Sequence, residues 1–356
     1  MQIGIITFHD TVNYGATLQA VATYKAISKL ENQNVEIIDY RCKSIDIREL
    51  PKKKYDFRSG TIKGFIYYLL TKKKNIRKYN EIHRFLIENT KVSSCYDENN
   101  IKQTNDKYDC FLIGSDMLWQ LDYTDSDLTF FLNFTDKKKV SFATSIGKFW
   151  SNNQFELVKT YLNDFAVISV REKNFADFLC NKLDRKVNYV CDPTMLLDTN
   201  EWVKYVGKRK IHEKYSLVYM DDLAKNCKSN ALNYSKKNQC LLYEIGIKNP
   251  LKKYHGYKIL EVYGVEEFLN AIYYSEILYT ASYHGMLFAI YFHKPFVYYN
   301  KDSNRLENLA NQLGLQERNG NKYDPMLMKA IDWNLVDEKR VKFSKKSLEC
   351  LDSSFL

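Results

Sequence analysis

The chain has 356 residues, 53 basic and 43 acidic, for a net charge of +10 at neutral pH. Apolar residues at 45% and charged residues at 27% are the balance of a globular fold and exclude a disordered or fibrous chain. The length suits two domains, each able to bury a core.

The first residues, Met1-Gln-Ile-Gly-Ile-Ile-Thr-Phe8, lack the basic start, long apolar core and cleavage site of a signal peptide. The longest stretch without a charged residue, Ile277 to His293, is broken by Ser282, His284 and Gly285, so no bilayer span is expected. Eight scattered cysteines form no C-x-x-C pair, and no histidine stands at ligand spacing from one. That pattern predicts reduced thiols, a cytoplasmic setting and no metal site.

Short apolar runs of strand length alternate with amphipathic helical stretches. Ile3–Phe8 reads as a strand, Ala16–Leu30 as a helix and Val35–Asp39 as the next strand. Tyr108–Ile113, Val140–Ala143 and Ala166–Val170 follow as strands ending in small or polar residues. After a pause near Asp192–Asp198 come strands at Ser216–Met220, Cys240–Glu244, Lys258–Val262, Ile277–Thr280 and Pro295–Tyr299. Helices are expected at Glu266–Ser275, Gly285–Phe292 and Arg305–Leu313. This alternation predicts an α/β protein with parallel sheets, divided near residue 200 into domains 1–199 and 200–356. Two such domains in series usually face each other across a cleft, with ligands beyond the carboxyl ends of the strands.

One segment, Lys52–Arg84, carries eleven Lys/Arg against Asp56 and Glu81. It reads as part of a basic helical insertion over about 52–103, built on Gly64-Phe-Ile-Tyr-Tyr-Leu-Leu70 between Lys52–Lys54 and Lys72–Lys74. Such a helix can lie on an anionic membrane, or pack its apolar face on its own domain while its lysines stay solvated. No nucleic-acid motif accompanies the charge.

The strand ends carry the candidate chemistry. Asn13, Tyr14 and Gly15 stand where a helix start can receive an anion, or where a cap simply closes a polar turn. In Gly114-Ser-Asp-Met-Leu-Trp119, Asp116 can take a proton from a hydroxyl or cap a helix, and Trp119 can support a sugar ring or fill a core. Ser145 lies in the next strand end. Arg171 offers a planar cation for carboxylate or phosphate, or a surface ion pair with the adjoining helix. In Tyr279-Thr-Ala-Ser-Tyr-His-Gly285, His284 opens an apolar helix, where it can deliver a proton, bind an anion when protonated, or serve the structure alone. Arg305, after Ser303-Asn304, is a second cation at a helix start.

In order, these segments resemble the polysaccharide pyruvyl transferase family. The matching residues are Ile6-Thr-Phe-His9 with Asn13-Tyr-Gly-Ala-Thr-Leu-Gln-Ala20, then Ile113–Trp119, Ser141–Gly147, Ser169-Val-Arg-Glu172 and Asp192–Leu197. Ser282-Tyr-His-Gly285, Lys294-Pro-Phe296 and Arg305 ahead of Leu313-Gly-Leu315 complete the series.

The resemblance implies two Rossmann-like domains in a GT-B-like arrangement. It implies transfer of pyruvate from phosphoenolpyruvate onto a sugar of a cell-surface polysaccharide, such as a bacterial capsule or exopolysaccharide, or its lipid-linked precursor, giving a cyclic ketal. No cofactor is implied beyond phosphoenolpyruvate as co-substrate. In that chemistry His284 is the acid and Asp116 the base. Arg171 and Arg305 bind the donor's anionic groups, and Ser282, Gly285, Asn13, Tyr14, Gly15, Ser145 and Trp119 line the substrate site. Some relatives carry arginine where this chain has Ser282, which removes one expected anion contact. The alternative is a nucleotide-sugar glycosyltransferase of the same architecture.

Overall fold

A computed structural model describes residues 1–52, 54–56, 61–220, 226–300 and 305–355. Lys53 of the basic flank and the Ser303-Asn304 pair lie outside the described residues.

The chain divides into two compact units. One comprises residues 1–50, 83–198 and 338–356, and the other residues 51–82 and 199–337.

The first unit is built on strands β1 (Gln2–Ile6), β2 (Asn34–Tyr40), β3 (Val92–Tyr96), β4 (Cys110–Ile113) and β5 (Lys138–Ser141), in the order β3-β2-β1-β4-β5. Every pairing is parallel. Ile3, Ile5, Phe111 and Leu112 are fully buried, which is why β1 and β4 read as unbroken apolar runs rather than alternating ones. The short parallel pair β6 (Ser169–Val170) and β7 (Asn188–Tyr189) is joined to the β5 side by the bridges Val140–Val167 and Thr144–Val170.

The second unit repeats the plan with β8 (Tyr215–Tyr219), β9 (Leu241–Ile245), β10 (Lys258–Leu260), β11 (Ile277–Thr280) and β12 (Phe296–Tyr298), again all parallel, in the order β10-β9-β8-β11-β12. Both sheets therefore reverse direction of winding at their first strand, and both units are Rossmann-like. The crevice of such a sheet opens beyond the carboxyl ends of the two central strands. In the first unit these are β1 and β4, which deliver Thr7–Asn13 and Gly114–Trp119. In the second they are β8 and β11, and β11 delivers Ser282–Gly285.

Two segments group differently from the expected 1–199 and 200–356 division. Residues 51–82, expected within an insertion of the first domain, belong to the second unit. There Lys74 Nζ lies 2.6 Å from Glu261 Oε1, and the Arg77 guanidinium sits 4.2 Å above the Tyr263 ring. The long helix Ile62–Asn89 that starts in this segment runs on into residues of the first unit. The chain end returns to the first unit through the helix Trp333–Ser353, whose Ser347 Oγ accepts from the Cys191 amide at 2.9 Å. Its Phe343 ring lies 4.9 Å from that of Tyr189. No helix among the described residues is long and apolar enough to cross a membrane.

Candidate functional site

In the first unit the helix Tyr14–Ser28 follows the loop after β1, capped by Asn13, whose Oδ1 accepts from the Gly15 amide at 2.9 Å. That amide, expected to be available to an anion, is therefore used by the cap. Tyr14 and Gly15 are buried and Asn13 is exposed.

One turn on, Gln19 is fully buried and ties the two central loops together. Its Nε2 donates to Thr7 Oγ1 at 2.8 Å and to Ala16 O at 2.8 Å, and its Oε1 accepts from the Ser115 amide at 3.1 Å. A glutamine inside a helix buried nearly all round is a conspicuous signal, and residue-type reasoning aimed at charged groups passed over it.

Asp116 sits just beyond β4 with a left-handed backbone (φ 74°), an uncommon conformation for a residue with a side chain. Its carbonyl accepts from the Ser145 amide at 2.9 Å, and its Oδ1 accepts from the Met117 amide at 2.9 Å. The carboxylate also lies 3.6 Å from Arg171 Nη2. Arg171 Nη1 makes a tighter contact, 2.6 Å, with Asp192 Oδ2, and both of those side chains are sealed from solvent. Asp192 Oδ1 in turn accepts from the amide and hydroxyl of Thr194 at 3.0 and 2.6 Å.

Arg171, expected as the first anion clamp, is thus committed to two carboxylates of its own unit. Its placement after an apolar strand reflects that buried pairing. Its longer contact, at 3.6 Å, is the one with Asp116. Ser145 is likewise internal, fully buried and donating to Glu172 Oε1. Trp119 corrects its expected role as a sugar platform. It is completely buried, stacked on Phe131 at 5.5 Å, with Nε1 donating to Phe130 O at 2.8 Å.

A cluster to which the sequence reading gave no site role lies beyond β1 and β2, although His9 itself is among the residues that carry the family resemblance. His9 Nδ1 is 3.0 Å from Thr7 O, and its Nε2 is 3.0 Å from Asp39 Oδ1. Arg41 Nε lies 2.6 Å from the same Asp39 oxygen, and Arg41 also pairs with Asp10, which takes a further contact from His83 Nδ1 at 3.2 Å. Burial and the nearby Arg41 cation hold the His83 imidazole below its ordinary range, against the pull of Asp39. The available signal was a charged triplet, Asp39-Tyr-Arg41, closing an apolar strand. Beyond β2 and β3 an open cavity of about 690 Å³ is lined by Arg41, Lys43, Asp97, Lys102 and Asp127 among others, but by none of the expected site residues.

In the second unit β11 runs into the helix Tyr283–Tyr291. Ser282 caps it, with Oγ accepting from the Gly285 amide at 3.2 Å, while the Ser282 amide donates to Thr280 Oγ1 at 3.0 Å. That hydroxyl donates onward to Tyr219 O at 2.8 Å, joining the end of β11 to β8. His284 is the second residue of this helix, nearly buried, its ring edge-on to Tyr283 at 5.3 Å. Gly285 is required by packing, because a Cβ there would stand 2.8 Å from Thr280 Oγ1. Where some relatives carry arginine, the Ser282 side chain here closes the helix. Arg305 is the first residue of the helix Arg305–Leu313, partly exposed. No cluster of three or more metal-ligating side chains occurs among the described residues.

The sequence model of the polysaccharide pyruvyl transferase family matches residues 13–303. The chain belongs to that family. As a member of this transferase family it is an enzyme whose class acts on polysaccharide, which implies a sugar or oligosaccharide acceptor.

No curated protein matches the sequence. Among solved structures, it is similar to UDP-GlcNAc 2-epimerase from Neisseria meningitidis bound to UDP-GlcNAc, with 13% identity, coverage of 98% of this chain and 93% of that one, and a TM-score of 0.50. It is also similar to a putative UDP-N-acetylglucosamine 2-epimerase from Listeria monocytogenes, with 11% identity, coverage of 98% and 89%, and a TM-score of 0.50. At that identity the likeness concerns the fold, in keeping with two units each built on a five-stranded parallel sheet.

Proposed function

We propose that this pyruvyl transferase takes its pyruvyl group from phosphoenolpyruvate and sets it as a cyclic ketal across two hydroxyls of a sugar. The acceptor is a cell-surface polysaccharide or its lipid-linked precursor, and the reaction takes place in the cytoplasm, where phosphoenolpyruvate is available. The observation that carries the reading is His284 at the first turn of the helix after β11, next to a capping serine and a glycine where a Cβ would press on Thr280 Oγ1.

The reaction adds one sugar hydroxyl to the enol carbon while the methylene gains a proton. The second hydroxyl then displaces phosphate, closing the ketal. His284 is assigned the proton delivered to the methylene, because a helix start favours a group that hands off positive charge beside an anion. Asp116 is assigned the proton released by the attacking hydroxyl. Arg171 positions Asp116 through the 3.6 Å contact and does not itself grip the donor. Arg305 is assigned an anionic group of phosphoenolpyruvate, a task for which a permanent cation is suited. Fixed charges and helix amides stabilise the developing charge without a step through a metal.

The test is incubation with phosphoenolpyruvate and a panel of glycans, reading free phosphate and an acid-labile ketal. Both products are expected. Consumption of a nucleotide-sugar in place of phosphoenolpyruvate would replace this reading with a glycosyltransferase.

A further inference from the structure

The stretch Lys52–Arg84 holds eleven basic and two acidic residues, nine of the net ten positive charges of the whole chain in 33 residues. The helix Ile62–Asn89, which starts in this stretch, turns the expected amphipathic logic outward. Ile62, Ile66, Leu69 and Leu70 fall at i, i+4, i+7 and i+8, which places them on one face. All four are exposed, Ile62 at 82% and Leu69 at 55%.

The other side is fastened within the second unit, with half-buried Phe65, Tyr67 and Tyr68 and the Tyr55 ring 5.4 Å from Phe65 and 5.8 Å from Tyr68. Thr71 is buried there, and Lys74 reaches Glu261. Cations border the apolar stripe on both sides. Lys63 and Lys73 are exposed beside it, and Lys72 lies over the Tyr68 ring at 5.5 Å. A helix that turns four aliphatic side chains to water between lysines is arranged to meet a second apolar phase.

We propose that this face docks the enzyme on an anionic lipid bilayer, with Ile62, Ile66, Leu69 and Leu70 entering the headgroup boundary and the lysines meeting lipid phosphates. Charge complementarity selects this occupant. A second copy of the chain would bring lysine against lysine and a net +10 against +10. Four exposed aliphatic side chains add nothing to binding a nucleic-acid backbone, whereas at a bilayer they and the cations act together. The proposal stands without the pyruvyl transfer reading, since it concerns binding alone.

The experiment sediments the full-length protein with vesicles of phosphatidylcholine alone, and of phosphatidylcholine with about a third phosphatidylglycerol. Binding is expected at least tenfold tighter to the anionic vesicles and should weaken as salt is raised. Each lysine near such a surface is worth roughly a factor of five, so Lys63→Glu with Lys73→Glu should weaken partitioning at least about 25-fold. Ile66→Ser with Leu69→Ser leaves the charge unchanged and should also weaken it about tenfold or more. Both pairs are on the exposed face, and circular dichroism would verify that the variants fold. Absence of binding by the parent protein, equal binding to both vesicle types, or variants that bind like the parent would overturn the proposal. So would a stable dimer that the serine pair dissolves while vesicle binding persists.

Discussion

Replacing Asp192 with alanine removes the closest counter-charge of Arg171, at 2.6 Å, from a pair whose side chains are 2% and 0% exposed. A cation left uncompensated inside a protein costs about 3–5 kcal/mol. Asp116, 3.6 Å from the other terminal nitrogen, remains as a partial counter-charge and holds the loss toward the lower end. The same substitution deletes the two Thr194 bonds that start the Pro193–Leu196 turn, worth about another 1 kcal/mol as a lost cap. The expected total is about 4 kcal/mol on the unfolding transition of the first unit.

Urea denaturation, with hydrogen exchange over β6 and β7 to identify the unit that opens, provides the assay. Asp192→Asn keeps an acceptor for Thr194 and should recover the cap portion alone. Arg171→Met combined with Asp192→Leu should recover much of the rest, because an apolar pair of similar volume replaces a buried ion pair nearly neutrally. A loss below about 1 kcal/mol for Asp192→Ala, or a double variant no better than the single, would refute the claim that Arg171 is a buried positioning group.

Trp119→Phe leaves the Phe130 carbonyl without its indole donor and should cost about 1–3 kcal/mol in thermal or chemical unfolding while leaving the acceptor KM unchanged. A raised KM with undiminished stability would return Trp119 to a sugar-binding role. Gly285→Ala would ordinarily stabilise a helix by about 1 kcal/mol, but its Cβ must displace Thr280 Oγ1, so stability should fall and kcat should drop at least about tenfold as His284 shifts. A stabilised, active variant would contradict that packing. Burial raises the Glu261 carboxyl, yet bonds from Lys74, the Tyr263 hydroxyl and the Lys248 amide outweigh it and hold the group below its ordinary value. A depressed carboxylate contributes stability above its unfolded value of about 4.3 and loses it as pH falls further, so Glu261→Gln should flatten the decline of Tm between about pH 5 and 3. An unchanged slope would show the group to be uncoupled from folding.

Buried parallel strands write themselves as unbroken apolar runs, so the two sheets were legible: Ile277–Thr280 and the helix Arg305–Leu313 occur with the bounds expected. The strand Val92–Tyr96 was not, because an edge position with exposed Ser94 and Cys95 leaves no apolar run. β6 falls within the strand expected at Ala166–Val170, whereas the two-residue β7, Asn188–Tyr189, is too short for any pattern. Residue type alone also could not separate a guanidinium that binds substrate from one that binds Asp192, since both follow an apolar strand. The inverted face of the Ile62–Asn89 helix was hidden for a related reason: periodicity shows which residues share a side, and only coordinates show which side meets water.

The central claim is that phosphoenolpyruvate is the donor and His284 its acid. The most direct measurement is phosphate release from phosphoenolpyruvate in the presence of an accepting glycan, comparing the parent enzyme with His284→Ala after matching the two for fold by thermal unfolding. The account predicts one phosphate per ketal formed by the parent and a rate lower by about 10²–10⁴ in the variant. Equal rates in the two proteins, or turnover only with a nucleotide-sugar, would contradict it.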